Sequence, residues 1–477
     1  MTRTKEEKVQ LEIARLEREK AKPKGPGYLL YFMMIIAAVY VADEIASQIG
    51  NQMQTVVASQ LFAPLVGADV AVSRMSLISM IAGCSIGLSY LYKPLADRYG
   101  RKPFLFINTL GMGLGMVIIG VSTNIPVYAV GAFVIQFFIP HDMQQVYIYE
   151  SVPAEKRAKI YSVIKAVVTL CLLLIPVLRN AFLSENDLSQ WRMVYLIPGI
   201  LAVAIAVFAL FFVRESDAFV ENRLRQLTMT DEEKKESKSK KQDQESRGGL
   251  IKAIKFCFTH RQLRWMFLAG GFIQFGMLAT QYYETIMTFG YAQQFVDAGM
   301  AMENAKMEAS AFVTQALMLF SVGSACFQLF PGFIADKWGR KIACIVMCAC
   351  TAVTFLIFYI GSNLAWNPYL VGICCGACVG SYWAAGDMVG LVCSESAPTN
   401  LRASVMAVQP VVNSMIYMLA GNLVLILGNV LGDAAIGTTC LLVSVPGMIL
   451  GLVIMMLKVK ETKGVDMGAI RGDEFEN

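Results

Sequence analysis

The chain has 477 residues, of which 56% are hydrophobic and only 16% are charged, with a formal net charge of +5. Soluble domains contain about 45–50% apolar and about 25% charged residues, so a soluble enzyme, a disordered scaffold and a secreted disulfide-rich protein are excluded. The apolar residues fall in blocks of about 20, the helix length that crosses a hydrocarbon core of about 30 Å. The composition predicts an all-α polytopic membrane protein.

The first 27 residues are rich in Lys, Arg and Glu and contain no apolar core of the kind found in a cleaved signal peptide. Val9, Ile13 and Leu16 recur at helical spacing, which predicts a short amphipathic cytoplasmic helix. Hydropathy then predicts twelve transmembrane helices, at 28–50, 72–94, 103–121, 126–149, 159–180, 193–213, 264–289, 309–335, 341–361, 367–392, 403–428 and 436–457.

The basic residues between these spans predict the orientation of the chain. They cluster in the loops after spans 2, 4 and 8, as Arg98-Arg101-Lys102, Lys156-Arg157-Lys159 and Lys337-Arg340-Lys341. By the positive-inside rule both termini are cytoplasmic, in a plasma (inner) membrane. The predicted organisation is a tail at 1–27, a six-helix bundle at 28–213, a cytoplasmic loop at 214–263, a second bundle at 264–457 and a tail at 458–477.

The central loop is highly charged and nearly free of apolar residues in its middle, so we expect that part to be mobile. Leu250–Phe258 alternates apolar residues with lysines, which indicates either a short interfacial helix or an early turn of span 7. Most of the 12 cysteines lie inside apolar blocks, where small residues favour close helix packing. No Cys/His group has metal-site spacing, so no metal or cofactor is expected.

Three motifs occur twice, in the same order. Residues 96–102, ADRYGRK, recur 239 residues later as ADKWGRK at 335–341. Residues 150–158, ESVPAEKRA, recur 245 residues later as ESAPTNLRA, and VRES at 213–216 recurs 246 residues later as VKET. Nearly constant offsets at equivalent topological positions predict two parallel repeats of six spans each.

These motifs resemble those of the major facilitator superfamily. Gly332 to Lys341 fits the family's loop motif fully, whereas the first copy has Lys93 in place of the glycine. The repeated Glu-Ser-x-Pro boxes and the segments after spans 6 and 12 are most similar to the sugar-porter branch and its metabolite:proton symporter relatives. The resemblance covers about residues 28–465. It implies two bundles that rock about a site near the midplane, acting as a monomer on a small organic solute and protons.

The charged residues of the repeated loops form a predicted cytoplasmic latch. A carboxylate at a span end can accept hydrogen bonds from a guanidinium or meet the positive end of the next helix. Such contacts would hold the cytoplasmic ends together in one state only; the alternative is that they are topology signals and weak surface pairs. The predicted latch residues are Asp97, Arg98, Arg101, Glu150, Arg157, Asp336, Arg340, Glu395 and Arg402.

Ionisable residues inside the spans are candidates for proton coupling, since each costs at least about 2.5–3.5 kcal/mol in hydrocarbon. The repeat relates them in pairs, because Glu284 follows Glu44 by 240 residues and Asp387 follows Asp142 by 245. If all four point inward, the two pairs face each other. The proton-coupling candidates are Glu44, His141, Asp142, Lys165, Glu284 and Asp387.

Depth predicts an ion pair between Asp142 and Lys165, both about 12 Å from the inner ends of their helices. Pro410 stands at the position equivalent to Lys165, so this pair is not repeated at Asp387. We therefore hypothesise that Asp387 or Glu284, together with Glu44 and the Asp142–Lys165 group, carries the coupling proton. Alternatively, Asp387 hydrogen-bonds polar neighbours or faces a wet cavity.

Two further positions leave choices open. His141, beside Asp142, is either a proton relay or a packed polar residue. Asp43 and Glu44 lie about 100° apart on a helix, so we expect one of them to face the cavity, and symmetry favours Glu44.

The solute is less constrained. Phe272, Ile273 and Leu278 occupy positions at which sugar porters carry sugar-binding amides, which counts against a hexose, and Phe133 replaces an arginine of that branch. Aromatic and acidic candidates favour a small organic solute with amine or hydroxyl groups. The cavity candidates are Asp43, Gln48, Gln144, Gln274, Gln281, Tyr282, Tyr283 and Trp383, with Tyr40, Gln52 and Gln145 in the same set.

The function predicted from these features is proton-coupled symport by alternating access. Alternatives are a hexose-type transporter and a transporter-like solute sensor, although the short predicted tails favour transport. No nucleophile, metal or phosphate-loop constellation is visible in the sequence, so an enzyme is not expected. The charge pattern gives orientation and indicates no nucleic-acid partner.

Overall fold

The computed structural model describes residues 5–21, 27–85, 88, 92, 95–139, 143–151, 163–183, 187–229, 250–397 and 402–463. Most of these residues are helical, in agreement with the predicted all-α class. The helices are α1 (Lys5–Ala21), α2 (Tyr28–Gln52), α3 (Gln54–Val57), α4 (Ala63–Val66), α5 (Ala71–Gly83), α6 (Leu95–Tyr99), α7 (Arg101–Gly120), α8 (Ile125–Phe138), α9 (Met143–Ser151), α10 (Val163–Phe182), α11 (Trp191–Phe212), α12 (Asp217–Thr228), α13 (Leu250–Thr259), α14 (Arg261–Ile273), α15 (Met277–Asp297), α16 (Met302–Trp338), α17 (Arg340–Asn363), α18 (Pro368–Ser396), α19 (Arg402–Leu431) and α20 (Ile436–Lys458).

Among the described residues, nine helices are long and apolar enough to cross a membrane, or ten if one bent pair counts as a span. Two predicted spans are each divided between two helices, which lowers this count below twelve. Span 4 comprises α8 and α9, and the residues 140–142 between them lie outside the described part. Span 7 comprises α14 and α15, joined by a 3-10 turn at Gln274–Gly276.

The connection between spans 1 and 2 is helical rather than an open loop. After α2, the chain continues through α3, a π-helical turn at Ala58–Phe62 and α4. It then bends by 104° into α5. Gly67, with φ +93°, ends α4 in a backbone conformation that a side chain would strain. The buried side chains of Val56, Val57 and Phe62 explain why this segment packs instead of remaining in solvent.

Residue contacts divide the chain into two units. Unit 1 comprises Met1–Gln48, Ile78–Val168 and Arg192–Gln242. In its core, helices α2, α7, α9 and α11 pack around Ile36, Phe104 and Tyr147. Gly115 of α7 and Gly131 of α8 lie in mutual contact: a Cβ on either would come within about 3 Å of the other's carbonyl oxygen.

Unit 1 also contains two amphipathic helices that pack on each other. Leu16 of α1 is buried against Phe219 and Val220 of α12. Arg223 Nε lies 2.7 Å from Glu12 Oε1 across the same contact. The helix predicted from the spacing of Val9, Ile13 and Leu16 is therefore confirmed, and the helix predicted at Leu250–Phe258 is also present, as α13. The central segment expected to be mobile, residues 230–249, lies outside the described residues.

Unit 2 comprises Ile49–Leu77, Thr169–Trp191 and Asp243–Asn477. Within it, α16 and α18 come into backbone contact through glycines spaced four apart. A Cβ at Gly372 would lie 1.9 Å from the Ala316 carbonyl oxygen, and one at Gly376 would lie 2.0 Å from that of Phe320. The two backbones therefore touch directly, which only residues without a side chain allow.

Candidate transport site

Two ends of the spans are distinguished here by the motifs that they carry. We call the helix ends next to residues 95–102, and in the second repeat those next to residues 335–341, the basic end of each unit, because each carries a copy of the Arg-Lys motif. The opposite ends are the far end. In the predicted topology, in which each crossing reverses direction, spans 1, 5 and 7 finish at the far end and spans 2 and 8 begin there.

A buried ion pair lies at the far end of unit 2. Arg179, at the end of α10, places Nη1 3.3 Å from Oε1 of Glu284 on α15. Both side chains are 0% exposed. Thr55 of α3 completes the site, because its backbone N–H donates to Glu284 Oε2 at 3.0 Å and its hydroxyl donates to Oε1 at 2.7 Å.

Arg179 is satisfied by further acceptors around its guanidinium. Nε donates to Thr314 Oγ1 at 3.2 Å and Nη2 donates to Ser310 Oγ at 3.3 Å, both on α16. Nη1 also donates to the backbone carbonyl of Gln52. The guanidinium thus donates hydrogen bonds to both sequence repeats, because Gln52 belongs to the first repeat and α16 to the second.

This network stabilises the packing of these helices as long as the ion pair remains buried. An isolated buried charge costs several kcal/mol, roughly, and a pair repays this only when its remaining donors and acceptors are hydrogen-bonded. The contacts above meet that condition. Neutralising either partner would leave the other charge buried without its counterion, so the strength of the contact depends on the ionisation of Glu284.

The proton-coupling candidates have contrasting surroundings. Glu284 is fully buried, whereas Asp387 on α18 has an exposed side chain. Glu44 and Lys165 are half-buried. His141 and Asp142 lie outside the described residues, so the predicted Asp142–Lys165 pair and the predicted carboxylate symmetry stay predictions.

Asp43 is more deeply buried than its neighbour Glu44, and which of the two faces the cavity stays a prediction. Its side chain is 7% exposed, and Oδ2 accepts a hydrogen bond from Gln144 Nε2 at 2.8 Å. This contact joins α2 to α9 within unit 1.

The remaining cavity candidates fall into buried and partly exposed sets. Tyr282 and Tyr283 are buried, and the Tyr283 ring stacks on Phe320 with centroids 4.9 Å apart. Gln274 accepts a 2.6 Å hydrogen bond from the Tyr382 hydroxyl. The set also includes Gln48 and Gln52, both buried, Gln281, half-buried, Tyr40, buried, and Trp383, 38% exposed. The side chain of Gln145 lies outside the described part.

At the basic end, unit 1 joins three of its repeated motifs. Arg101 Nη2 lies 3.3 Å from Glu150 Oε1, and Ser216 donates to the other oxygen of Glu150. Glu215 Oε1 accepts from the backbone N–H groups of Arg101 at 2.8 Å and Lys102 at 3.2 Å, the first turn of α7. Burial raises the pKa of Glu215, while these N–H groups act in the opposite direction.

Unit 2 repeats this arrangement. Arg340 Nε lies 3.3 Å from Glu395 Oε1, and Thr462 Oγ1 donates to Glu395 Oε2 at 2.5 Å. Glu461 accepts from the backbone N–H groups of Arg340 at 2.8 Å and Lys341 at 3.1 Å. The duplication seen in the sequence is therefore a duplication of contacts.

The predicted latch differs in its chemistry from the observed contacts. The carboxylates on the helix N-termini are Glu215 and Glu461, whereas the prediction placed Asp97 and Asp336 either there or beside a guanidinium. Asp336 has an 84% exposed side chain, 3.7 Å from Arg340. The side chains of Asp97, Arg98 and Arg402, and all of Arg157, lie outside the described part. The contacts seen each lie within one unit.

Sequence reasoning missed Arg179, although a signal was available. Arg179 falls one residue before the end of predicted span 5, inside the apolar block, so the cost of an intramembrane charge applied to it. Glu215 and Glu461 belong to repeated motifs that were recognised as repeats but not as ligands of a helix N-terminus. Thr55 carried no signal, because hydroxyls are common at helix ends.

The family model for the Major Facilitator Superfamily matches residues 27–421. The chain belongs to this superfamily. The resemblance inferred from the loop motifs is confirmed at that level, and the transporter is an integral, multi-pass membrane protein.

Solved structures support the same fold. A D-xylose-proton symporter crystal structure superposes with a TM-score of 0.61 at 15% identity, covering 92% of this chain and 99% of that one. The partially occluded inward-open xylose transporter XylE from E. coli gives 0.61 at 16% identity, with the same coverage. These likenesses show the fold of the superfamily.

Two curated relatives match over shorter stretches. The glucose transporter GlcP of Staphylococcus epidermidis (strain ATCC 12228 / FDA PCI 1200) is 26% identical over 157 residues, 32% of this chain and 33% of the relative. The uncharacterized MFS-type transporter YfiU of Bacillus subtilis (strain 168) is 26% identical over 147 residues, 30% of this chain and 27% of the relative. The matched part thus spans about a third or less of each relative.

Proposed function

We propose that this transporter moves a small organic solute by proton-coupled symport through alternating access. The observation that carries the proposal is the buried Arg179–Glu284 pair with its Thr55 donors. It joins segments from both sequence repeats at the far end, and its strength depends on one titratable carboxylate. Such a contact can link protonation to opening.

The coupling follows from differential stability. With Glu284 ionised, its attraction to Arg179 stabilises the state in which the far-end helices are packed. A proton on Glu284 removes that attraction and weakens the closed state by a few kcal/mol, roughly, the penalty for one partner of a buried pair. A proton that binds the far-end-open state more tightly than the closed one must shift the population toward opening.

The direction of transport rests on the charge of the loops. Because both Arg-Lys motifs lie at the basic end, we propose that this end is cytoplasmic, together with both termini. The far end then faces outside, and protons from outside reach Glu284 when that side opens. A plasma (inner) membrane location and a monomeric state complete the proposal.

For the solute, buried polar groups support recognition of amine or hydroxyl groups. Asp43, held by Gln144, supplies a buried carboxylate in unit 1, and the Gln274–Tyr382 pair supplies polar atoms in unit 2. Buried polar groups discriminate strongly against solutes that leave them unpaired. We propose each pair, taken within its own unit, as a candidate solute contact.

A sugar transporter is the second candidate. One relative is a glucose transporter, and the structural neighbours include a D-xylose-proton symporter. Against it stand Phe272, Ile273 and Leu278 at the positions where that branch binds sugar, so we rank it below an amine- or hydroxyl-bearing solute. A solute sensor ranks third.

The test is uptake into liposomes that contain the purified transporter, with a panel of radiolabelled amines, polyols, glucose and xylose, with and without an inward proton gradient. We expect one class to accumulate only with the gradient. Accumulation of the same class without the gradient would refute proton coupling, and preferential uptake of glucose or xylose would favour the sugar assignment.

Two variants locate the proton site. Glu284→Gln should abolish the stimulation by the gradient, whereas Asp387→Asn should retain it, because Asp387 is exposed and Glu284 is buried in the ion-pair network. The opposite pattern would assign coupling to Asp387 and refute the role given to Glu284.

A further inference from the structure

Helix α5, which begins span 2, starts without a capping side chain of its own. The chain runs Gly67-Ala68-Asp69-Val70 before the first helical residue, Ala71. The first N–H groups of a helix have no intrahelical acceptor, and Ser, Thr, Asp or Asn usually supplies one from the position before the helix. Valine has no acceptor atom, so α5 needs a cap from elsewhere.

Asp433 supplies that cap from a distant part of the chain. Its Oδ2 accepts from the backbone N–H of Val72 at 2.7 Å, and its Oδ1 accepts from the N–H of Ser73 at 3.0 Å. The Ser73 hydroxyl donates to the same Oδ1 at 2.5 Å. In return, the Asp433 N–H donates to the Asp69 carbonyl at 2.7 Å. Asp433 and Ser73 are 1% and 0% exposed.

The two sides of this contact come from different sequence repeats. Asp433 lies in the 3-10 turn Asp433–Ala435 between α19 and α20, whereas Val72 and Ser73 open span 2. Both sites lie at the far end and within unit 2. A separation of 361 residues along the chain means that the cap exists only while the two segments are packed.

We propose that Asp433 is a helix cap supplied across the repeat, a positioning residue whose binding to α5 biases the transporter toward the state in which the far end is closed. The proposal rests on the alternating access proposed above. Opening the far end withdraws Asp433 and leaves the first turn of α5 to water. The closed state is thereby favoured without any change in the charge of Glu284.

The geometry around the cap leaves little room for it to slide. A Cβ at Gly428 of α19 would lie 2.5 Å from Ser73 Oγ. Lys306 of α16 donates to the neighbouring Ala68 carbonyl at 3.4 Å. The start of α5 is thus held from two helices of the second repeat, and its backbone must part from both for the far end to open.

The size of the bias follows from the value of a cap. Loss of an acidic or hydroxyl cap typically weakens a helix by an amount equivalent to about a tenfold change in an equilibrium. We therefore expect Asp433→Ala to raise the ratio of far-end-open to far-end-closed molecules about tenfold.

A second substitution separates gating from simple helix stability. Val70→Ser gives α5 a cap within its own chain, which is available in both states. Val70→Ser combined with Asp433→Ala should recover the thermal midpoint lost in Asp433→Ala. The open population should stay raised, because the cap no longer distinguishes the two states. A purely structural role predicts that both quantities recover together.

The measurement is the distance between spin labels at Leu65 and Ala298, two exposed far-end positions that flank the contact from opposite repeats. Labels attached through p-acetylphenylalanine avoid the 12 native cysteines. Spectra are compared for the full chain and its Asp433→Ala, Val70→Ser and double variants, each with Glu284 intact and with Glu284→Gln, at acidic and alkaline pH.

The outcomes distinguish the two proposals. A second, longer distance that grows about tenfold in relative population with Asp433→Ala, and persists in the double variant, supports the cap. If two distances are seen but the ratio of their populations is unchanged by Asp433→Ala, the cap alone is overturned. A single distance in every variant and at every pH overturns the cap and the alternating access on which it rests.

Discussion

Glu284→Gln removes the negative charge from the buried far-end pair while it preserves the length of the side chain. Arg179 then keeps its charge in a site where it is 0% exposed. We expect the far-end-closed state to lose stability and the far end to open more often. The resulting change in the ratio of far-end-open to far-end-closed molecules should be opposite in sign to the change caused by a substitution that merely loosens the basic end.

The structure sets the magnitude of this effect. Removing one partner of a buried ion pair costs about 3–5 kcal/mol. Arg179 keeps neutral acceptors on Gln52, Ser310 and Thr314, which favours the lower end of that range. A cost of about 3 kcal/mol corresponds to a change of about a hundredfold in the ratio of closed to open molecules.

The assay combines the Leu65–Ala298 spin-label distance with gradient-driven uptake and the thermal midpoint in detergent. Glu284→Gln should populate the longer distance, lower the midpoint and remove the pH dependence of both. Arg179→Gln in the same chain removes the orphaned charge, so the double variant should be less destabilised than the sum of the two single variants.

Additivity of the two substitutions would refute this reasoning, because it would mean that Arg179 and Glu284 do not interact energetically. An unchanged spin-label distance and an unchanged midpoint in Glu284→Gln would refute it as well. The conservative Glu284→Asp variant controls for charge, since it keeps the carboxylate but shortens its reach.

Three further predictions concern packing, the N-terminal helix and pH. Gly372→Ala should abolish the monodisperse folded peak in fluorescence-detected size-exclusion chromatography, because its Cβ would lie 1.9 Å from a backbone oxygen. The control Gly386→Ala, whose Cβ would have no atom within 4 Å, should retain the peak. Equal yields of the two variants would contradict the backbone contact. Glu12→Arg and Arg223→Glu should each speed hydrogen exchange of residues 5–21. The charge-swapped pair should recover most of the roughly 0.2–1 kcal/mol that such a partly exposed ion pair contributes, and no recovery would show that the 2.7 Å pair is inert. Burial raises the pKa of Glu215, so the stability that this side chain contributes is full below pH about 4.5 and is lost as pH rises through the pKa of the folded state. Glu215→Gln should therefore flatten the decline of the thermal midpoint with pH. An unaltered pH profile would contradict this prediction.

The fold could be predicted because its signals are local. Each repeated loop motif lies within a few residues of a helix end, and the contacts that it makes join segments already marked in the sequence, such as Arg101 with Glu150. Hydropathy located the apolar blocks for the same reason. It did not locate the 3-10 turn at Gln274–Gly276 within span 7, because this stretch contains no proline and no charged residue.

The far-end sites could not be predicted in the same way. Arg179 and Glu284 are 105 residues apart, and Asp433 lies 360 residues from Ser73. Nothing in their immediate neighbourhood indicates the partner. The internal repeat gives no help here, because it relates Glu284 to Glu44 and does not point to Thr55 or Arg179.

The direct backbone contact between α16 and α18 restricts which parts of unit 2 can move. Two helices whose carbonyl oxygens sit where side chains would otherwise project can neither rotate nor slip past each other without a clash. In any conformational change, α16 and α18 must therefore move together as one rigid body. Bending is left to the neighbouring span, where the 3-10 turn at Gln274–Gly276 interrupts the regular ladder eight residues before Glu284. Bending at this turn would then move α15, and with it the Glu284 carboxylate, toward or away from Arg179.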